Sequence, residues 1–475
     1  MRWRGFGALL SLAATLSACG GGGGGSTAPA TTGESPTPAP TSASTCSTRA
    51  RQDWASSVLQ EWYLYPQTLP GSLDPGAYAD VAGYIDALTA TARSQGKDRF
   101  FTYLTSIREE EAFYNSGTTA GFGFRLQTDG VARRAFVSES FEGAPSVAAG
   151  MERGDEILAI GEAPGALRLV SDIIAASGTG AVSDALGPST PGVTRTLRLS
   201  GPAGTREITI SKADYALQPV SSRYGAKIIE ADGRKVGYLN LRTFITTADG
   251  QLRAAFQQFQ AAGVRDLIVD FRYNGGGLVA TAQLLGDLMG RARFSSDVQS
   301  RVEYRASKSA RNETRLFRPE EPSIAPMRVA FIGTGATASA SEFVINSQIP
   351  YLSQNMALVG TNTFGKPVGQ VAIDRSACDD RLRVVAFSTK NAAGSDGYFS
   401  GLAATVPNSC QAPDDVAFPL GDPREASVAR ALDFLAGRAC TPITVGQTGQ
   451  RLGERRQLLT AAVPNAAQRE VPGLH

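Results

Sequence analysis

The sequence predicts a multi-domain α/β protein, and three observations predict it. Apolar runs of four to six residues, bounded by Gly and Thr, fall at 329–333 and 357–360. They read as buried central strands, and the helical pattern that starts between them at about Ser339 completes a βαβ unit. A further strand at 266–271 ends at Asn274-Gly275-Gly276-Gly277, so such units recur and imply a right-handed parallel core. Ahead of them lie a helical stretch and then a β-rich one, and 475 residues leave room for two or three domains. Lys and Arg number 46 against 44 Asp and Glu. That balance gives no sign of a nucleic-acid or acidic partner.

Taken in order, the chain opens on a targeting segment. Arg2 and Arg4 precede an apolar run, 6–16, that is too short to span a membrane. It ends in Leu16-Ser17-Ala18-Cys19, which resembles a bacterial lipoprotein box, with Cys19 the acylated residue. Gly20 in the next position points to the periplasmic side of the outer membrane. Residues 20–45 run through glycines into Pro, Thr, Ser and Ala, a composition that makes a tether and not a core. Setting Cys19 aside leaves Cys46, Cys378, Cys410 and Cys440, an even number in an exported chain. Three pairings are open. The favoured one joins Cys378 to Cys410 around one irregular region and Cys46 to Cys440 across the domain ends; four reduced thiols are the alternative. No CxxC pair or histidine accompanies them, so metal ligation is not implied.

Residues 49–104 are helical in pattern, with Trp54, Val58, Leu59 and Trp62 at three- and four-residue spacing and a second helix at 78–90. Trp54 and Trp62 read as core. From 117 to 212 the pattern turns to strands. Gly121-Phe122-Gly123-Phe124, then Gly143-Ala144-Pro145-Ser146 and Gly154-Asp155-Glu156-Ile157-Leu158-Ala159-Ile160, resemble a PDZ domain. That resemblance makes Gly121, Phe122, Gly123 and Phe124 a loop whose amides receive a peptide's terminal carboxylate. A glycine in a strand also marks a bulge. The stretch 161–191 reads as loop-rich.

Residues 235–245 alternate like a strand, and Leu252, Ala255, Phe256 and Phe259 form a helix face. The glycine run after strand 266–271 lies where strand gives way to helix, so its amides can face a developing oxyanion. No Gly-Lys-Ser/Thr follows, which excludes a phosphate loop. Asp270 and Arg272 read as a structural ion pair. Ser339 falls at a strand-to-helix turn and Lys366 just after the next strand, where a parallel unit brings both to one end of the sheet. Ser339-Ala340-Ser341-Glu342 is also a capping box, and the local pattern does not separate a cap from a nucleophile. The single histidine, His475, ends a tail read as frayed. A hydroxyl nucleophile here therefore needs another base, and a lysine made neutral by burial can serve. Strand 382–388 and helix 426–435 follow, and the tail from 441 has no sustained pattern.

Three of these motifs, in this order, resemble the S41 serine peptidases, the C-terminal processing proteases: Ser339-Ala340-Ser341-Glu342, Thr363-Phe364-Gly365-Lys366 with Gln370, and Asp270-Phe271-Arg272-Tyr273-Asn274-Gly275-Gly276-Gly277. The resemblance implies Ser339 as nucleophile, Lys366 as general base and Gln370 as the residue that orients it. It also implies an oxyanion hole from the amides of Ala340 and Gly276. Pro367 stands where glycine is usual, Phe271 where leucine is common, and the Ser339–Lys366 spacing implies a lengthened loop around 350–354. The implied divisions are a signal peptide (1–18), tether (19–45), helical region (46–116), PDZ-like domain (117–212), peptidase-type core (213–440) and loose tail (441–475). The expectation is a lipid-anchored envelope endopeptidase acting on protein or peptide substrates, with no metal or organic cofactor. The alternative is an inactive peptide-binding scaffold. A paired Asp motif for an aspartic hydrolase is not recognisable.

Overall fold

The structure is a computed structural model that describes residues 45–202, 204–444 and 456–475. The expected signal peptide, Cys19 and nearly all of the expected tether lie outside the described residues. At the centre is a six-stranded sheet, ordered Ala226–Ala231, Arg234–Asn240, Asp266–Asp270, Arg328–Gly333, Met356–Gly360 and Ser409–Gln411. Its first pair is antiparallel and every later pair parallel.

The three middle strands are apolar because both of their faces are covered. Leu267, Val269, Val329 and Phe331 meet Leu252, Phe256, Leu285 and Val344 from the helices Ala248–Ala262, Val279–Leu288 and Ala340–Leu352. Their alternate neighbours Ile268, Ala330 and Ile332 meet Val428 and Leu432 of the helix Ala426–Leu435. Each such side chain contributes roughly 1.5–3 kcal/mol on burial. Parallel strands end together, so the turns after Asp270, Gly333 and Gly360 converge at one edge.

A second, five-stranded sheet holds Tyr103–Ser106, Val298–Tyr304, Glu313–Leu316, Val368–Arg375 and Asp380–Lys390. The helices Thr48–Trp62 and Val81–Leu88 bury Ala55, Leu59, Tyr84 and Ile85 with Leu382 and Val384 of that sheet, and Trp54 and Trp62 pack against the same cluster. The N-terminal helical region thus shares a core with residues more than two hundred positions away.

The third sheet comprises Phe124–Asp129, Arg134–Ser140, Glu156–Gly161, Thr194–Gly201 and Gly204–Ser211, with short additions at Arg168–Leu169 and Arg456–Leu458. Two helices, Val170–Ser177 and Gly180–Leu186, occupy the stretch expected to be loop-rich. Their Val170, Ile173, Ile174, Val182 and Leu186 enter the core of this sheet. The flanking Gly178, Gly180 and Gly187 obscured that three- and four-residue spacing. The expected lengthened loop at 350–354 is also corrected. The helix runs through Pro350 to Leu352, and one turn, Ser353–Asn355, leads into the next strand.

Two disulfides form, but not in the favoured pairing. Cys46 joins Cys378 and Cys410 joins Cys440, with Cα separations of 5.5 and 5.3 Å. Cys46 precedes the helix Thr48–Trp62, which packs on the strand Asp380–Lys390 beside Cys378. Cys410 lies on the edge strand that the chain rejoins at Cys440 after its last core helix, where Gln411 N–H donates to Thr441 O. Sequence separation carried no information about either neighbourhood.

The expectation of a loose tail is corrected for residues 456–475. Arg456–Leu458 adds a strand to the edge of Phe124–Asp129, Ala466–Glu470 forms one helical turn, and Leu459, Val471, Leu474 and His475 are buried. A tail that binds as an edge strand and a single turn shows no helical or strand period of its own.

Candidate active site

The site is assembled on the converging strand ends. After Gly333 the chain folds back through Thr334–Thr337 hydrogen bonds, and Thr337 Oγ1 donates to Phe271 O at 2.7 Å. Ala338 N–H then donates to Asn274 O at 3.0 Å. These bonds fasten the serine turn to the preceding strand's glycine run. Ser339 itself is half-buried and takes φ 53°, ψ −112°. A sparsely populated geometry of this kind costs a non-glycine residue about 1–3 kcal/mol. An ordinary N-cap sits in the extended region with its hydroxyl on a first-turn amide. Ser339 departs from that in its backbone, while the capping box read from the sequence is present, its N–H donating to Glu342 Oε2 at 3.1 Å.

Glu342 does more than cap. Its fully buried carboxylate also accepts from Thr363 Oγ1 (2.6 Å), Gly365 N–H (2.6 Å) and Lys366 N–H (2.7 Å). One side chain therefore fixes the serine turn and the lysine turn to each other. Burial pushes its pKa up, and these four donors oppose that rise. The lysine turn also needs Gly365, at φ +90°, where a Cβ would meet Phe399 O at 2.3 Å.

Lys366 Nζ donates to Gln370 Oε1 at 3.0 Å and lies 5.0 Å from the Phe101 ring centroid. Gln370 in turn donates to Phe101 O. Burial lowers the lysine pKa, with Glu470 and Asp98 pulling it back up and Arg383 and Arg469 adding to the fall. Among the described residues no hydrogen bond joins Nζ to Ser339 Oγ; the two residues meet through Glu342.

Gly276 reaches the serine turn. At its φ of +126°, a Cβ would stand 2.9 Å from Ser339 Cβ and 3.2 Å from Ala340 N. Its N–H donates to Asn274 Oδ1 at 2.9 Å, while Gly275 N–H donates to Glu470 O at 3.0 Å. Ala340 opens the helix Ala340–Leu352, and a first-turn amide has no partner within its own helix. Ser341 is buried, with its hydroxyl on Asn274 O at 3.2 Å, away from the cleft.

Asp270 and Arg272 form the buried pair read from the sequence, 2.9 Å apart. Arg272 also meets Glu425 at 2.9 Å and Asp414 at 3.1 Å, so the cation sits in an acidic cage beneath the site.

A cavity of ≈ 1230 Å³ opens beside these turns, with Phe101, Gly275, Ala338, Lys366, Asp414 and Glu470 in its wall. The Gly121-Phe122-Gly123-Phe124 loop faces His475: the Gly123 and Phe124 N–H groups point at His475 O, 2.8 and 3.4 Å away. Phe122 and Phe124 stack, 5.6 Å between centroids, inside the third sheet's core. Sequence reasoning missed the bridging by Glu342 and the approach of Glu470. For Glu342, a carboxylate inside an otherwise apolar helix was the available signal. For Glu470, nothing local pointed to the site.

The model of peptidase family S41 matches residues 235–402. A chloroplastic C-terminal processing peptidase of Tetradesmus obliquus is 28% identical over 272 residues, covering 55% of this chain and 54% of the relative. A carboxyl-terminal-processing protease of Synechocystis sp. is 25% identical over 261 residues, covering 55% and 56%. The chain thus spans about half the length of the curated relatives it matches. Among solved structures, a Bacteroides fragilis protein described as an S41 protease aligns with a TM-score of 0.63 at 24% identity, over 81% of this chain and 97% of that one. That likeness is one of fold.

Proposed function

We propose that the chain is a serine endopeptidase using Ser339 and Lys366, a reading that the match of residues 235–402 to the model of peptidase family S41 supports. The observation that carries the reading is the backbone of Ser339, held at φ 53°, ψ −112° on the same buried carboxylate that holds the lysine turn. A cap needs neither that geometry nor that neighbour.

In the proposed reaction, Ser339 Oγ attacks the scissile carbonyl carbon while neutral Lys366 Nζ takes its proton. The carbonyl oxygen becomes an oxyanion received by Ala340 N–H and by Gly276 N–H once the latter leaves Asn274 Oδ1. Lys366 then returns the proton to the leaving amine. A water, deprotonated by the same lysine, releases the acyl group and restores Ser339. Burial supports the lysine's part, because it lowers the pKa toward the range where the neutral amine is available. Replacing Ser339 with alanine tests the reading: turnover of an unstructured peptide must vanish from a protein that still folds.

The 117–212 region is assigned, within this proposal, to capture of substrate C-termini through the loop at 121–124. The lipoprotein box supports, within the same proposal, a position on the periplasmic side of the outer membrane through an acylated Cys19. Mass spectrometry of the mature protein should then find an acyl-modified Cys19 at its N-terminus, and Cys19→Ala should leave the membrane fraction. An unmodified mature N-terminus contradicts the anchor.

A further inference from the structure

We infer that residues 471–475 are the resident ligand of the loop at 121–124, and that residues 456–475 plug the candidate active site until a competing peptide displaces them. The inhibitory half of this inference rests on the peptidase reading above; the docking half does not.

The docking follows the chemistry of strand addition. Arg456–Leu458 pairs antiparallel with the far half of Phe124–Asp129, and Leu459 N–H continues the ladder to Leu126 O at 3.0 Å. The chain then leaves the edge and returns to its near half. Leu126 N–H donates to Gly473 O at 3.0 Å, and His475 N–H to Phe124 O at 2.9 Å. The last residue's oxygen receives the Gly123 and Phe124 amides. Gly121 makes room for it, since a Cβ there would stand 3.0 Å from His475 C.

Side chains anchor the same end. Leu474, 3% exposed, enters a cluster with Phe113, Phe141, Tyr215 and Leu217. The His475 ring is buried, with Nε2 3.0 Å from Leu459 O, and burial pushes its pKa down to about 4. It docks as a neutral ring. The ligand this site takes is therefore an extended segment with an apolar side chain in the Leu474 position and a backbone oxygen received by the Gly123 and Phe124 amides.

Between its two anchored ends the tail crosses the catalytic machinery. Glu470 O takes the Gly275 amide, beside the Gly276 amide assigned to the oxyanion hole. The Glu470 carboxyl, held by Tyr114 Oη–H at 2.8 Å, is the largest of the influences that oppose the burial-driven fall of the Lys366 pKa. Arg469 covers the Tyr103 ring at 3.7 Å in the wall of the same cavity. The tail thus covers the glycine run beside the assigned oxyanion hole and opposes the burial that makes Lys366 neutral. A tethered ligand competes at an effective concentration in the millimolar range, so a modest intrinsic affinity suffices to hold it in place.

The test uses the full chain with Leu474→Asp, which breaks the apolar anchor. Val471→Asp, at a fully buried position in the same cluster, is the second variant. Amide hydrogen exchange reads whether 456–475 is released, and kcat/KM on an unstructured peptide reads the consequence. Both variants should exchange faster across the tail and raise kcat/KM roughly tenfold, as removal of a competing bound state requires. A tail that stays protected in both variants overturns the docking. Released tails with unchanged or lower kcat/KM overturn the plug, as does purified wild type that has lost the tail by Ser339-dependent cleavage. If the wild type and both variants have no turnover at all, the peptidase reading falls together with the plug, while exchange still decides the docking.

Discussion

Ser339→Ala should lower turnover of an unstructured peptide on the order of 10⁴-fold or more, the scale on which loss of a nucleophile is felt in serine hydrolases. The fold should survive. The substitution removes at most the hydroxyl's half of the capping box, and the backbone bond from Ser339 N–H to Glu342 remains. Even full loss of a cap costs about 0.5–2 kcal/mol, which does not empty the folded state of an ordinary domain. Ser341→Ala supplies the contrast, since this hydroxyl is buried on Asn274 O. It should cost about 1 kcal/mol of stability and leave most of the activity. Peptide turnover alongside thermal unfolding separates the two. Equal losses at both serines would mean that the helix start matters only as structure.

Glu342→Ala should be the most damaging change outside the reacting pair, in activity and stability together. It strips the acceptor from Ser339 N–H, Thr363 Oγ1, Gly365 N–H and Lys366 N–H at once. Buried donors left without partners cost about 1–3 kcal/mol each, so a total of roughly 3–5 kcal/mol is expected even after local relaxation. The serine and lysine turns would also lose their common reference point, and turnover should fall with them. Glu342→Gln is a partial rescue at best, because its amide presents a donor where two of these donors converge on Oε2. Urea unfolding and kcat measure the two effects. A variant with wild-type stability and turnover would remove Glu342 from the account.

Much of the core was legible because parallel strands announce themselves. Apolar runs as short as 266–271 and 329–333, bounded by turn residues, suit a strand covered on both faces, and the helix faces between them carry a clear period. Ser339, Lys366 and Gln370 were named from the resemblance of short motifs to the S41 peptidases, and the structure brings the serine and lysine turns together at Glu342, with Gln370 on Lys366. What stayed hidden was long-range. The disulfide partners depend on which elements pack together, not on spacing, so Cys46 met Cys378 instead of Cys440. The helices at 170–186 were masked by glycines that end them. The tail looked loose because its partners, the edge of Phe124–Asp129 and the glycine run, lie hundreds of residues upstream. Glu342 was visible only as a cap, since its other three donors arrive from the lysine turn.

The most direct measurement is the pH dependence of kcat/KM for wild type and Lys366→Arg. A base with a depressed pKa works only when neutral, so wild-type activity should rise with pH as Lys366 loses its proton. Arginine keeps a cation in the same place but stays protonated throughout, so the variant should fold, lose activity roughly 10²–10⁴-fold and show no rising limb. A folded Lys366→Arg protein with near wild-type turnover and the same pH profile would contradict the dyad.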